Sequence, residues 1–245
     1  MATIPIDWYY LVALSAVLNA TVSIIQKRAL KREHATQYSL ASSSLLAVAS
    51  LAFLPFANLN ITLLQLLLAI SFGILGSVTL LIGTKVARHG NISSVTPLTN
   101  VLPVLFTAVL AYVFLSEQLS LLQGMCIIGI AAVTYVLLFR RSANPMKKDF
   151  DSGKYKSMLV ANAIIGAIGG IIAKYLLVDI NVFTFLIITQ ITVPIFLGLF
   201  NKVKYKGKKG PIETLSAYKG TFAVLIILIM ALRILNYFAL TVVPV

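Results

Sequence analysis

Eight apolar runs leave this chain few ways to fold. They lie near residues 8–25, 39–56, 61–84, 92–114, 121–139, 157–177, 181–200 and 221–243. Each is long enough to cross a bilayer as a helix, which takes roughly 20 residues. Lipid offers no partner to a free peptide group, so such runs settle as helices whose backbone bonds close within the segment. The chain is 59% hydrophobic and 11% charged, against roughly 25% charged in soluble domains. The expected fold class is therefore all-α: a polytopic membrane helix bundle of about eight spans.

The charges add an orientation. A formal net charge of +13 would suggest nucleic acid in a soluble protein, but here the basic residues sit between the apolar runs. Four connections, Lys27–Arg32, Lys85–Arg88, Arg140–Lys156 and Lys202–Lys219, hold 18 of the 20. If every run crosses the membrane, all four fall on one side, and the positive-inside rule makes that side cytosolic. The exceptions are Lys174, near a span end, and Arg233, inside a span. Trp8, Tyr9 and Tyr10 open the first run as an interfacial aromatic belt would. No basic segment precedes that run, which reads as a retained helix rather than a cleaved signal. The single cysteine, Cys126, lies inside a span and allows no internal disulfide.

Residues 91–141 carry the most specific pattern. A span with Pro97 and Pro103 flanking Asn100 is followed by the turn Ser116-Glu117-Gln118-Leu119-Ser120. A second span with Gly124 and Gly129 then ends at Arg140-Arg141. Each proline removes a backbone donor, so this helix is expected to face protein or a watery cavity. Ser120 and Gln123 have capping-box spacing. The Ser42-Ser43-Ser44 cluster and Gly73, Gly76 and Gly83 suit close helix packing, since small residues let backbones approach. After the basic linker the chain begins again: Ala20, Ile24, Ile25, Lys27 and Leu30 recur at a constant offset of 147 as Ala167, Ile171, Ile172, Lys174 and Leu177.

The proline-bearing span, Leu115-Ser116-Glu117, Gln123-Gly124 and the glycine-bearing span resemble the EamA-type repeat of the drug/metabolite transporter superfamily. Ser116 stands where that family commonly has glycine. IIQKRAL and IIAKYLL resemble the end of the first helix of each repeat, and Gly83–Arg88 and Asn236–Leu240 resemble the ending of the third. The resemblance implies five spans per repeat, the second entering from the opposite side, an inverted-topology repeat. Residues 1–141 would form the first repeat and 142–156 a basic cytosolic linker. Residues 157–245 would form a second repeat of three spans, truncated by two, with about 50–60 further residues expected beyond Val245. Full-length relatives usually keep both termini in the cytosol, whereas the charge bias here places the N-terminus outside.

Polar groups within spans are the candidate site. An ionisable residue in mid-span costs roughly 2.5–3.5 kcal/mol on insertion scales and suggests function. Arg233 is the one near a span centre, and Asn236 and Tyr237 share its helical face. This trio could hold an anionic substrate group, or Arg233 could bond free carbonyls of a neighbouring helix. Asn100, Asn19 and Asn162 are further substrate-binding candidates; they and Gln190 could equally be interhelical glue. Lys27 and Lys174 are expected to snorkel to the interface. Asn19-Ala20-Thr21 and Asn91-Ile92-Ser93 spell glycosylation sites, but one lies inside a span and the other on the cytosolic side.

His34, His89 and all seven carboxylates fall outside span interiors. There is no paired-carboxylate site, no nucleophile with a basic partner and no phosphate-binding glycine loop. The chain is therefore expected to be no enzyme, with no cofactor and no metal. The expected partners are a lipid bilayer and a small-molecule substrate, not nucleic acid; association with itself or another chain is left open. The resemblance implies a multi-pass cell-membrane secondary transporter or facilitator of small metabolites, with amino acids or related compounds as one class, working by alternating access. A truncated, non-transporting membrane protein or subunit is the alternative, and an intramembrane enzyme the remotest.

The charge bias predicts that 26–38, 140–156 and 201–219 face the cytosol. Single cysteines there, in a Cys126-free background, should resist impermeant thiol reagents in intact cells; ready labelling of all three would reverse the orientation.

Overall fold

The computed structural model describes residues 8–30, 34–90, 92–115, 121–139, 153–204 and 219–242. The chain is a helical membrane bundle. Its helices are α1 (Trp8–Leu30), α2 (Ala35–Ser50), α3 (Leu63–His89), α4 (Ile92–Leu115), α5 (Leu121–Phe139), α6 (Gly153–Asp179), α7 (Val182–Lys204) and α8 (Lys219–Val242). A 3-10 turn, Leu51–Phe56, continues α2. No strand occurs among the described residues. Among the described residues, five segments are long and apolar enough to cross a membrane: Ala35–Phe56, Leu63–His89, Tyr155–Asp179, Val182–Lys202 and Gly220–Thr241. Val95–Leu110 and Gln123–Val136 are shorter apolar segments of α4 and α5.

Several boundaries differ from the hydropathy reading; α3, for one, runs past residue 84 to His89. α1 runs past residue 25 to Leu30, so Lys27 and Arg28 lie in its last turn rather than in a loop. Basic side chains there suit the negative end of the helix dipole. α2 starts at Ala35, not 39, although Thr36, Gln37 and Ser39 make its first turn polar. Packing overrides polarity: Ala35, Tyr38 and Ala41 are buried against Val22, Ala29 and Leu30 of α1 and Phe222 and Leu225 of α8.

α3 packs extensively on α6 and α7, α4 on α6, α2 on α7 and α1 on α8. α5 leans mainly on α4, leaving Leu121, Met125, Ile128 and Val133 exposed, as a lipid-facing helix would. The largest core cluster gathers Leu176, Phe185, Leu186, Met230 and Tyr237. Phe185 meets Phe72 at a ring separation of 5.0 Å and Tyr237, edge to face, at 5.2 Å.

Small residues set the closest approaches. A Cβ on Gly73 would lie 2.6 Å from Cβ of Thr192, so α3 and α7 touch there backbone to side chain. Gly166 and Gly170 of α6 face Pro103 and Thr107 of α4. Gly83, expected to serve packing, instead has nothing within 4 Å of where its Cβ would be. Hydroxyls join the helices: Ser39 and Thr84 Oγ atoms lie 2.9 Å apart. Thr184 Oγ1 donates to Asn58 O at 2.7 Å and accepts from Asn58 N at 2.9 Å.

Helix ends are tied down locally. Thr62 and Gln65 form a capping box at the start of α3, with Gln65 N donating to Thr62 Oγ1 and Thr62 N to Gln65 Oε1. The capping box expected at Ser120 and Gln123 lies outside the described residues in part, as does the whole turn 116–120. At the other end of α3, Lys27 finds partners within the protein. Its Nζ donates to the carbonyls of Ala87, Arg88 and Gly90, the last at 2.7 Å. These carbonyls have no partner within their own helix, and a cation suits the dipole there. A lysine on α1 thus closes the end of α3.

Adding a methyl at the tight crossing should be felt. Gly73→Ala is expected to lower stability in detergent by about 1–3 kcal/mol, the usual range for overpacking. Gly124→Ala, where a Cβ meets nothing within 4 Å, should leave the thermal midpoint unchanged. Equal midpoints for both variants would show that α3 and α7 do not touch at Gly73. Removing the lysine clamp with Lys27→Met should cost about 1.5–3 kcal/mol, the range for a bond to a charged group. Lys27→Arg should keep part of that, and an unmoved midpoint for Lys27→Met would remove the clamp from the account.

Candidate functional site

Two cavities border the α1–α8 pair. The first, about 360 Å³, is enclosed by α1, α3, α4, α6 and α8. The second, about 330 Å³, is enclosed by α1, α2, α3, α7 and α8. Gln26, Leu80 and Arg233 line both, so the two spaces meet at these side chains. Both volumes are at the small end of the roughly 300–1,000 Å³ of ligand pockets.

All six candidate residues lie on these walls. Asn19, Asn100 and Asn162 line the first cavity, Asn236 and Tyr237 the second, and Arg233 both. The spacing of Arg233, Asn236 and Tyr237 on one helical face carries that trio to a single wall, as the sequence suggested. Asn162 and Tyr237 are buried, Asn19 and Arg233 half-buried, and Asn100 and Asn236 exposed. Tyr237 is braced by the Phe185 ring.

The polar groups of the walls are incompletely paired. Arg233 has no hydrogen bond or ion pair to another described residue, so the neighbouring-helix carbonyls expected as one alternative do not hold it. Asn162 Oδ1 and Gln190 Nε2 are buried without a partner. Gln190 lines the second cavity beside Arg233, so it is not helix glue at its amide nitrogen. Buried polar groups are normally satisfied, and orphaned ones on a cavity wall are groups that a ligand or water would complete. Hydroxyls line the walls too. Those of Ser42, Ser43 and Thr99 donate to carbonyls of their own helices, which leaves each oxygen able to accept.

The reading from sequence missed Ser23, Gln26, Thr79, Thr96 and Thr99, which also line the first cavity. A signal was there: Asn19, Ser23, Gln26 and Lys27 recur at helical spacing on one face of α1, a polar stripe in an apolar helix. Gly76 and Gly83 also line this cavity, so the space beside Gly83 is the cavity itself.

The walls hold little that could do covalent chemistry. The one described carboxylate, Asp179, ends α6. Among the described residues no cluster of His, Cys, Asp or Glu could hold a metal. One guanidinium, one ammonium, several amides and hydroxyls, and apolar surface from Phe72, Leu80 and Leu46 make an arrangement suited to binding a small polar molecule.

The profile of the EamA-like transporter family matches residues 7–139, which takes in α1 to α5. No curated protein matches the chain. A family whose members move small molecules through membranes agrees with an apolar helical bundle enclosing polar cavities, and points to a transporter rather than an enzyme. The chain belongs to the EamA-like transporter family.

Proposed function

We propose that the chain is a multi-pass secondary transporter or facilitator of small metabolites in the cell membrane, amino acids or related compounds among them, working by alternating access. The observation that carries this reading is the meeting of two polar cavities at Arg233. A substrate would contact Arg233, Asn236, Tyr237, Asn100, Asn19 and Asn162 as it passes between them.

The helix packing supports an inverted repeat, with residues 1–141 and 157–245 as the two copies and all eight helices crossing. The offset of 147 that relates Lys27 to Lys174 also relates the first residue of α2, Ala35, to the first of α7, Val182. An exchange of α1 with α6, α2 with α7 and α3 with α8 turns the α1–α8 contact into the α6–α3 contact. Both are among the most extensive in the bundle. The α2–α7 contact maps onto itself, as a seam on a two-fold axis does. Inverted repeats of this kind place substrate sites at the repeat interface, where both cavities lie.

Proton relays through membranes use Asp, Glu or His within spans, and the described helices carry none in their interiors. Transport is therefore expected without proton coupling. Purified chain in liposomes should give saturable exchange of at least one of a set of radiolabelled amino acids and short carboxylic acids, and an imposed pH gradient should drive no accumulation. Accumulation with the gradient would refute uncoupled transport. No exchange above protein-free liposomes across the whole set would favour the non-transporting alternative.

A further inference from the structure

We infer that the substrate carries one net negative charge, seated at the junction of the two cavities between Arg233 and Gln190, with an uncharged body of a few carbons. The inference rests on the transport reading and narrows it, from amino acids and related compounds to small monocarboxylates that lack an ammonium group.

The charge count carries the argument. A guanidinium is a cation, and a cation drawn even partly out of water favours a partner of opposite charge. No described residue supplies one: Asp179, the one described carboxylate, stands at the far end of α6. The remaining basic side chain on these walls is Lys27. An ammonium has three donors, and Lys27 gives three hydrogen bonds to the carbonyls of Ala87, Arg88 and Gly90. The donors of Lys27 are thus committed to the end of α3, and Arg233 is the cation on these walls that has no partner among the described residues. A monoanion balances it. A dianion would bring a second charge with no cation to meet it, and a zwitterion would bring an ammonium with no carboxylate to meet it.

The neutral groups point the same way. Gln190 Nε2 is a buried donor with no acceptor, and it lines the second cavity from α7 while Arg233, Asn236 and Tyr237 line it from α8. A guanidinium and an amide N–H together suit the two oxygens of a carboxylate, for which Arg offers a planar fork. Beyond them, Val22, Leu46, Val193, Ile229 and Leu232 add apolar surface to the second cavity. In the first, Asn162 Oδ1 is a buried acceptor without a donor. A hydroxyl on the acid would supply a donor of the kind that oxygen lacks.

The test measures binding to the full chain in nanodiscs at pH 7 by equilibrium dialysis, with labelled lactate, succinate, glycine and choline as the four probes. Lactate should bind at least tenfold more tightly than the other three. Arg233→Gln should weaken lactate at least tenfold and Arg233→Lys by less. Gln190→Leu, which is close in volume, should weaken it several-fold with insertion unchanged. Tighter binding of succinate, glycine or choline would overturn the inference, as would lactate binding untouched by Arg233→Gln or no binding of any probe. Flux assays separate the two readings. Arg233-dependent lactate binding without lactate flux would count against transport and support the monoanion site. Glycine flux indifferent to Arg233→Gln would support transport and overturn the monoanion.

Discussion

Peptide groups inside a bilayer have no water to bond to, and the rest of this structure follows from that. Each helix satisfies its own ladder, so what remains to be settled is every place where a ladder stops or is interrupted. α3 shows both solutions: a capping box from Thr62 and Gln65 at its start, and at its end an ammonium from another helix. Prolines 97, 103 and 194 interrupt α4 and α7, and hydroxyls cluster near them. Thr99 bonds back to Val95 and Thr96, and Thr192 to Ile188. Of these, Thr99 also lines the first cavity.

Where helices form was legible because hydrophobic length alone decides it, without any need of periodicity. Where they end was less so, because ends depend on neighbours. The polar start of α2 is helical because Tyr38 stacks on Phe222 of α8 at 5.6 Å, a contact nearly the whole chain apart. Glycine is a similar case. Gly73 and Gly83 look alike in sequence, yet one is pressed against Thr192 and the other opens on a cavity. Only the position of α7 and α1 relative to α3 distinguishes them.

The candidate site was more legible than its surroundings. A mid-span arginine is expensive, so Arg233 stands out without any structure, and its helical spacing to Asn236 and Tyr237 fixes their common wall. Asparagines are costly enough in lipid to be noticed as well, and Asn19, Asn100 and Asn162 reach one cavity from three different helices. Serine and threonine hydroxyls escape notice because they can bond to their own helix, so nothing in their sequence context separates a cavity hydroxyl from a structural one. The partners of Lys27 escaped notice for the same kind of reason: a lysine near a span end is expected at the interface, and the carbonyls that hold it lie some 60 residues away in sequence.

One cation among neutral dipoles is also a balanced way to hold a cargo that must be let go. A fixed carboxylate beside Arg233 would compete with an anionic ligand at every encounter, and a second free cation would deepen the site. In a low-dielectric wall each added charge counts for more than in water. Here the second basic group is withdrawn: Lys27 ties α1 to the end of α3 and leaves the attraction to Arg233 and amides. The arginine sits on α8, which packs more on α1 than on any other helix, while both helices touch the remaining helices more sparingly. α1, α3 and α8 line both cavities, so the guanidinium stands on a helix that the two spaces share.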